Sequence, residues 1–166
     1  MLSLAVTSDN ARIVSGGGDR TVFLWDVVSA TVVRRYQGHF ARVNTVAFGA
    51  GDSVIISGSL DATVRLWDVK GGSTKPIMTW EEAGDSVSCV GVLGGDEGWE
   101  VFAGGVDGRV RVYDLRMGLC FVDVIGRMST SVTALLFLLM DLLYGNDLLL
   151  TDVYISQSPL LPLRPH

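Results

Sequence analysis

Short runs in which every second residue is apolar recur along the chain before residue 133. Val64 and Leu66, and Val110 and Val112, each flank an arginine, and Val22 and Leu24 flank the aromatic Phe23 at the same place. That spacing is the mark of a half-buried strand, because successive side chains leave the backbone on opposite sides. Residues 12–16, 53–58 and 100–104 read as the strand preceding each run. Residues 31–36 and 43–48 read as an outer strand followed by the first strand of the next unit. No stretch before residue 133 carries a sustained helical period. The pattern predicts an all-β chain.

The strands belong to a repeat. Segments 15–26, 57–68 and 103–114 align without gaps. Each places an aspartate six residues before an aromatic: Asp19 before Trp25, Asp61 before Trp67, and Asp107 before Tyr113. Each aromatic is followed by a second aspartate, Asp26, Asp68 or Asp114. The aromatics stand 42 and 46 residues apart, which suits four short strands per unit. Small residues ahead of each first aspartate allow a tight strand connection.

Gly38 and His39 before the second unit, with Trp25 and Asp26 and with Trp67 and Asp68, make the chain resemble the WD40-repeat family. The resemblance implies a partial β-propeller over residues 1–133, with blades at about 2–37, 38–81 and 82–126. It also implies a buried hydrogen-bonding set of His39, Ser57, Asp61 and Trp67, with Asp19 and Trp25, and Asp107 and Tyr113, as counterparts in the outer units. The chemistry of such a set is direct. Asp61 can orient the imidazole, the imidazole can meet the Ser57 hydroxyl, and the indole N–H supplies the last donor. Losing one member strands buried polar groups, at roughly 1–3 kcal/mol each. The third unit has Tyr113 for Trp, Ala103 for Ser and no Gly-His ahead of it, so its set is partial.

Within that family, residues 15–117 look like the mitogen-activated protein kinase organizer (WD-repeat-containing protein 83) group. The stretches that carry this likeness are 15–19, 43–46, 56–59 and 106–118. The likeness covers about residues 4–133 and would correspond to the second to fourth blades of a seven-bladed ring. It implies a scaffold that gathers components of a mitogen-activated protein kinase cascade and associates with the pre-mRNA splicing machinery, in cytoplasm and nucleus. Residues 101–116 are similar to the sixteen-residue box of WD proteins that dock on cullin-4 ubiquitin ligases. Asp107, Asp114 and Arg116 would be its polar positions, and a ligase substrate receptor is the alternative role.

After Thr133 the composition changes. Residues 134–166 hold 12 leucines against 8 in the preceding 133, and Gly145 is their one glycine. The apolar run 134–144 is broken by Asp141, and a membrane span needs about 20 predominantly apolar residues. Reading the codons one base early turns the Met140–Asp141 junction into a forced glycine. The shifted frame allows Ser-Phe-Ser-Pro-Asp-Gly-Ser, the form of a further blade's first strand and turn. Residues 134–166 are therefore expected to be a Leu-rich tail, frame-shifted or partly disordered. A non-functional truncated gene product is a third reading.

Composition and motifs argue against catalysis. The 166 residues are 48% hydrophobic and 19% charged, as in an ordinary globular protein, with a net charge of −5. That balance, with no basic stretch interleaved with aromatics, predicts no direct nucleic-acid partner. Cys89 and Cys120 are too few for a disulfide-stapled scaffold and are not spaced as zinc ligands, so no metal is expected. Gly16, Gly17 and Gly18 lead into a strand, whereas a phosphate-cradling loop opens a helix. Asp26, Asp68 and Asp114 fall one per unit. The expectation is a non-enzyme with no cofactor, no small-molecule substrate and no membrane, whose partners are proteins. Loops on a rigid scaffold carry recognition, which selects Arg20, Arg42, Leu60 and Val106 on one face and Arg116 in the box as candidate contacts.

Overall fold

The computed structural model describes residues 2–93, 99–117 and 119–125. The tail 134–166 lies outside these residues, as does the end of the repeat region beyond 125. Twelve strands follow in order: β1 (Ser3–Val6), β2 (Arg12–Gly16), β3 (Thr21–Asp26), β4 (Thr31–Gln37), β5 (Val43–Gly49), β6 (Val54–Ser59), β7 (Val64–Asp68), β8 (Met78–Trp80), β9 (Val87–Leu93), β10 (Glu100–Gly105), β11 (Arg109–Asp114) and β12 (Leu119–Ile125). They form three four-stranded sheets, β1-β2-β3-β4, β5-β6-β7-β8 and β9-β10-β11-β12, antiparallel throughout. No helix occurs among the described residues. This is the all-β, partial-propeller architecture that the repeat predicts.

The residue after each repeat aspartate turns the chain. Arg20, Ala62 and Gly108 have φ of 61°, 63° and 76°, the left-handed conformation. A β-carbon there costs on the order of 1 kcal/mol, so only the third unit, with glycine, avoids strain.

Sheet stacking follows from the strand period. In β6, Ile55 and Ile56 are both fully buried and point to opposite sides. Ile55 joins Val14, Val22, Leu24, Tyr36, Val43 and Trp67 between the first and second sheets. Ile56 joins Val64, Leu66, Trp80, Val87, Val101 and Tyr113 between the second and third. The middle sheet is thus covered on both faces. At the inner edge the Val46 N–H donates to Ser3 Oγ at 3.1 Å, and the Val90 N–H donates to Thr45 Oγ1 at 3.2 Å. At the far edge the Tyr36 hydroxyl donates to the Asp68 carbonyl at 2.9 Å, and the Arg34 guanidinium reaches the carbonyls of Asp68, Val69 and Gly71.

Two glycines set how closely the sheets approach. A β-carbon on Gly16 would lie 2.5 Å from Val43 Cγ1, and one on Gly58 would lie 2.5 Å from Val87 Cγ1. Both sites are walled by the neighbouring sheet, so a methyl group must push two sheets apart. Gly58→Ala is expected to lower unfolding stability by about 1–3 kcal/mol, as overpacked cores do. Urea titration of the variant beside the parent checks this.

Candidate interaction site

The loop that crosses from the first sheet to the second carries Gly38 and His39. A β-carbon on Gly38 would fall 2.5 Å from Arg65 Nη1, so glycine lets the loop lie close against β7. His39 then turns inward to 6% exposure and joins a chain of hydrogen bonds. The Trp67 indole N–H donates to Ser57 Oγ at 2.8 Å, and Ser57 Oγ lies 2.7 Å from His39 Nε2. His39 Nδ1 lies 2.9 Å from Asp61 Oδ2. With Nδ1–H given to the carboxylate, Nε2 is left to accept the Ser57 proton, which is the neutral imidazole. Burial pushes the His39 pKa down, against the opposing pull of Asp61. Burial alone would push Asp61 up. Hydrogen bonds from the Thr63 hydroxyl, the Phe40 N–H and His39 together outweigh it and hold the carboxyl at about 2.

The outer units hold less of this arrangement. In the first, the Trp25 N–H donates to Ser15 Oγ at 2.9 Å, but Asp19 is exposed and meets no imidazole among the described residues. In the third, Arg111 replaces the imidazole and donates to Asp107 Oδ2 at 2.7 Å. The Gly84 N–H meets the same oxygen, as the Phe40 N–H meets Asp61. Burial would raise the Asp107 carboxyl, and Arg111 with the flanking N–H groups outweighs it and brings it below the usual range. Tyr113 pairs in register with Val101 and stacks on Trp80 with ring centres 4.7 Å apart, and the serine position of this unit is Ala103.

These units bring the loops together at one end of the sheets. The Val43 N–H donates to the Gly17 carbonyl, the Leu60 N–H to the Arg42 carbonyl, and the Val106 N–H to the Ser86 carbonyl. Asn44 also bridges to Ser86 and Val87 on the next sheet. Arg20, Arg42, Leu60 and Val106 therefore share one end, where the first two are exposed and the last two are 45% and 62% exposed. Arg116 does not join them. It lies in the β11–β12 turn at the opposite end, exposed and paired with Asp114 at 3.1 Å.

Phe40 was not singled out by sequence reasoning, yet it is 79% exposed at the loop end, under the Arg65 guanidinium 5.5 Å from its ring centre. The available signal was an aromatic set directly after Gly-His. Arg111 was also missed. Its signal was an arginine four residues after an aspartate that lacks a histidine partner.

The described residues contain no cluster of His, Cys, Asp and Glu suited to a metal ion. The family model for the WD domain, G-beta repeat, matches residues 1–26, 30–68 and 74–114. Autophagy-related protein 16 of Arabidopsis thaliana is 30% identical over 136 residues, 81% of this chain and 25% of that protein. WD repeat domain-containing protein 83 of Rattus norvegicus is 48% identical over 52 residues, 31% of this chain and 15% of that protein. The guanine nucleotide-binding protein subunit beta of Oryza sativa subsp. japonica is 44% identical over 50 residues, 29% of this chain and 13% of that protein. The chain spans a quarter or less of the length of each of these curated relatives. With three matched repeats, three antiparallel four-stranded sheets and a Gly-His loop buried against Ser, Asp and Trp, this chain belongs to the WD40 repeat family.

Proposed function

We propose that the chain is a non-catalytic protein-interaction scaffold that takes its partners at the loop end formed by residues 17–20, 38–42, 59–62 and 105–108. The observation that carries this reading is the convergence of exposed Phe40, Leu60 and Val106 with Arg20 and Arg42 on loops from all three sheets. Exposed apolar groups gathered beside arginine are the usual makings of a protein contact. The buried polar set beneath supplies rigidity, which lowers the entropy cost of binding. His39 is held neutral, buried and committed on both ring nitrogens, so it serves structure.

The finer reading is a scaffold of the mitogen-activated protein kinase organizer type, which also associates with splicing subunits in cytoplasm and nucleus. Its support is the likeness of residues 15–19, 43–46, 56–59 and 106–118 to that group, with the 48% identity over 52 residues to the rat protein. Coprecipitation of the full chain tests it. Recovery of kinase-module or splicing subunits should fall at least about tenfold in a Phe40→Asp, Leu60→Asp variant, the loss expected of two contact anchors. Unchanged recovery from a variant with parental circular dichroism would overturn the reading. Arg116 favours a second reading, as an exposed arginine at the other end of the sheets. Binding of a cullin-4 adaptor that vanishes with Arg116→Ala would establish a ligase receptor instead.

A further inference from the structure

Between the first and second sheets one buried charge is left without a counterion. Arg65 is 7% exposed, yet no carboxylate among the described residues pairs with it. Its Nε donates to Thr63 Oγ1 at 3.3 Å, and its terminal nitrogens meet no acceptor among the described residues. The third unit treats the same repeat position differently, since Arg111 donates to Asp107 at 2.7 Å. Asp61 does not do this for Arg65, because both of its carboxylate oxygens already accept two hydrogen bonds. Oδ2 receives His39 Nδ1 and the Phe40 N–H, each at 2.9 Å. Oδ1 receives the Thr63 N–H at 3.0 Å and the Thr63 hydroxyl at 2.6 Å. The histidine that completes the polar set thus leaves the arginine beside it unpaired.

A cation taken out of water with no anion to meet it lowers the stability of the fold. Phe40 lies over this one, with its ring centre 5.5 Å from the guanidinium carbon. The ring attracts the cation through its π face and offers it no acceptor oxygen. Phe40 is itself 79% exposed, so the charge lies one side chain below the loop end. Two residues further on, Arg42 is exposed and meets no carboxylate among the described residues, and its carbonyl receives the Leu60 N–H at 3.0 Å. A carboxylate arriving here does not have to strip water from Arg65, because folding has already done so. The two groups can then pair through parallel N–H···O bonds. Asp61 stays ionised down to a pH of about 2, and its charge beside the site disfavours a phosphate dianion over a single carboxylate.

We propose that the loop end takes an aspartate or glutamate of a partner protein, set among apolar residues, whose carboxylate pairs with Arg65. The apolar neighbours of that acid cover Phe40 and Leu60. Exposed Arg42 acts on the approach of the acidic segment, whereas the desolvated Arg65 acts on its retention. The inference rests on the loop-end reading and adds the chemistry that the partner carries.

The test selects a display library of random peptides on the full 166-residue chain, then measures the enriched peptides singly. Peptides with an acidic residue between apolar ones are expected, and Leu60→Asp should abolish their binding. Arg65→Met keeps an unbranched side chain of similar reach without the charge. The free variant should therefore match or exceed the parent in urea midpoint, as chains relieved of a buried ion do. It should nonetheless bind the acidic peptides roughly ten- to hundredfold more weakly, the loss expected for a hydrogen bond to a charged group. Changing the peptide's acid to its amide should weaken binding to the parent by the same factor and leave binding to Arg65→Met unchanged. No enrichment, or enrichment that survives Leu60→Asp, counts against the loop-end reading and the inference with it. Three results overturn the inference alone: Leu60-dependent peptides without an acid, acidic peptides that bind Arg65→Met as tightly as the parent, or a lowered urea midpoint in Arg65→Met, which would make the arginine structural.

Discussion

Trp67→Ala is expected to be the most damaging single replacement in the chain, lowering unfolding stability by about 3–5 kcal/mol. Trp67 is fully buried between the first and second sheets, against Tyr36 and His39. Its removal opens a cavity at the contact that joins two blades, and it also takes away the N–H that Ser57 accepts. Trp67→Phe separates the two effects. Most of the ring volume stays, so the loss should shrink to about 1–3 kcal/mol, the cost of one unsatisfied buried group. Equilibrium urea unfolding of both variants measures the difference, and equal losses would mean that the buried ring contributes nothing beyond its N–H.

The second large effect concerns His39 and acid. His39→Ala leaves the Ser57 hydroxyl and the Asp61 carboxylate without their ring partner, at roughly 1–3 kcal/mol for each. The pH dependence follows from the same pair. Burial lowers the His39 pKa in the folded chain, so below its ordinary value of 6.5 the unfolded chain takes up a proton that the folded chain refuses. Stability from this source is complete above 6.5 and is lost as pH falls through the lower folded value. Asp61 acts with the same sign further down. Its folded value of about 2 lies below the ordinary 3.8, so its contribution is present above 3.8 and disappears as pH falls toward 2. Urea midpoints measured from pH 8 to pH 3 should therefore decline in two stages. His39→Gln should remove the upper stage and Asp61→Asn the lower.

Much of this was readable before any coordinates. The period-two runs and the 42- and 46-residue spacing place β2–β7, β10 and β11, because a half-buried sheet leaves a local pattern in its own sequence. β2, for example, covers Arg12–Gly16, and β10 ends one residue beyond the expected 100–104. The central polar set was also legible, since Gly38, His39, Ser57, Asp61 and Trp67 are distinctive residue types at repeat positions. What escaped is the reach of long or exposed side chains at variable positions. Arg111 on Asp107, Phe40 beneath Arg65, and Arg34 on the carbonyls after β7 all use positions whose residue differs from repeat to repeat. Phe23, Arg65 and Arg111 occupy one repeat position yet do three different things. Periodicity aligns such residues but cannot say which neighbour a long side chain reaches. Asp19 shows the converse. It has the right place in the repeat, but no imidazole reaches it among the described residues, so it remains at the surface.

The loop end also has an internal control, because the opposite end carries turns of the same sheets. Ser29 and Lys75 are exposed there, as Leu60 and Val106 are at the proposed binding end. A photo-crosslinking amino acid placed singly at each of these four positions, in the full chain in living cells, compares the two ends directly. Adducts with other proteins from positions 60 and 106, and none above background from 29 and 75, are the predicted result. Adducts from 29 and 75 with none from 60 and 106 would contradict the account.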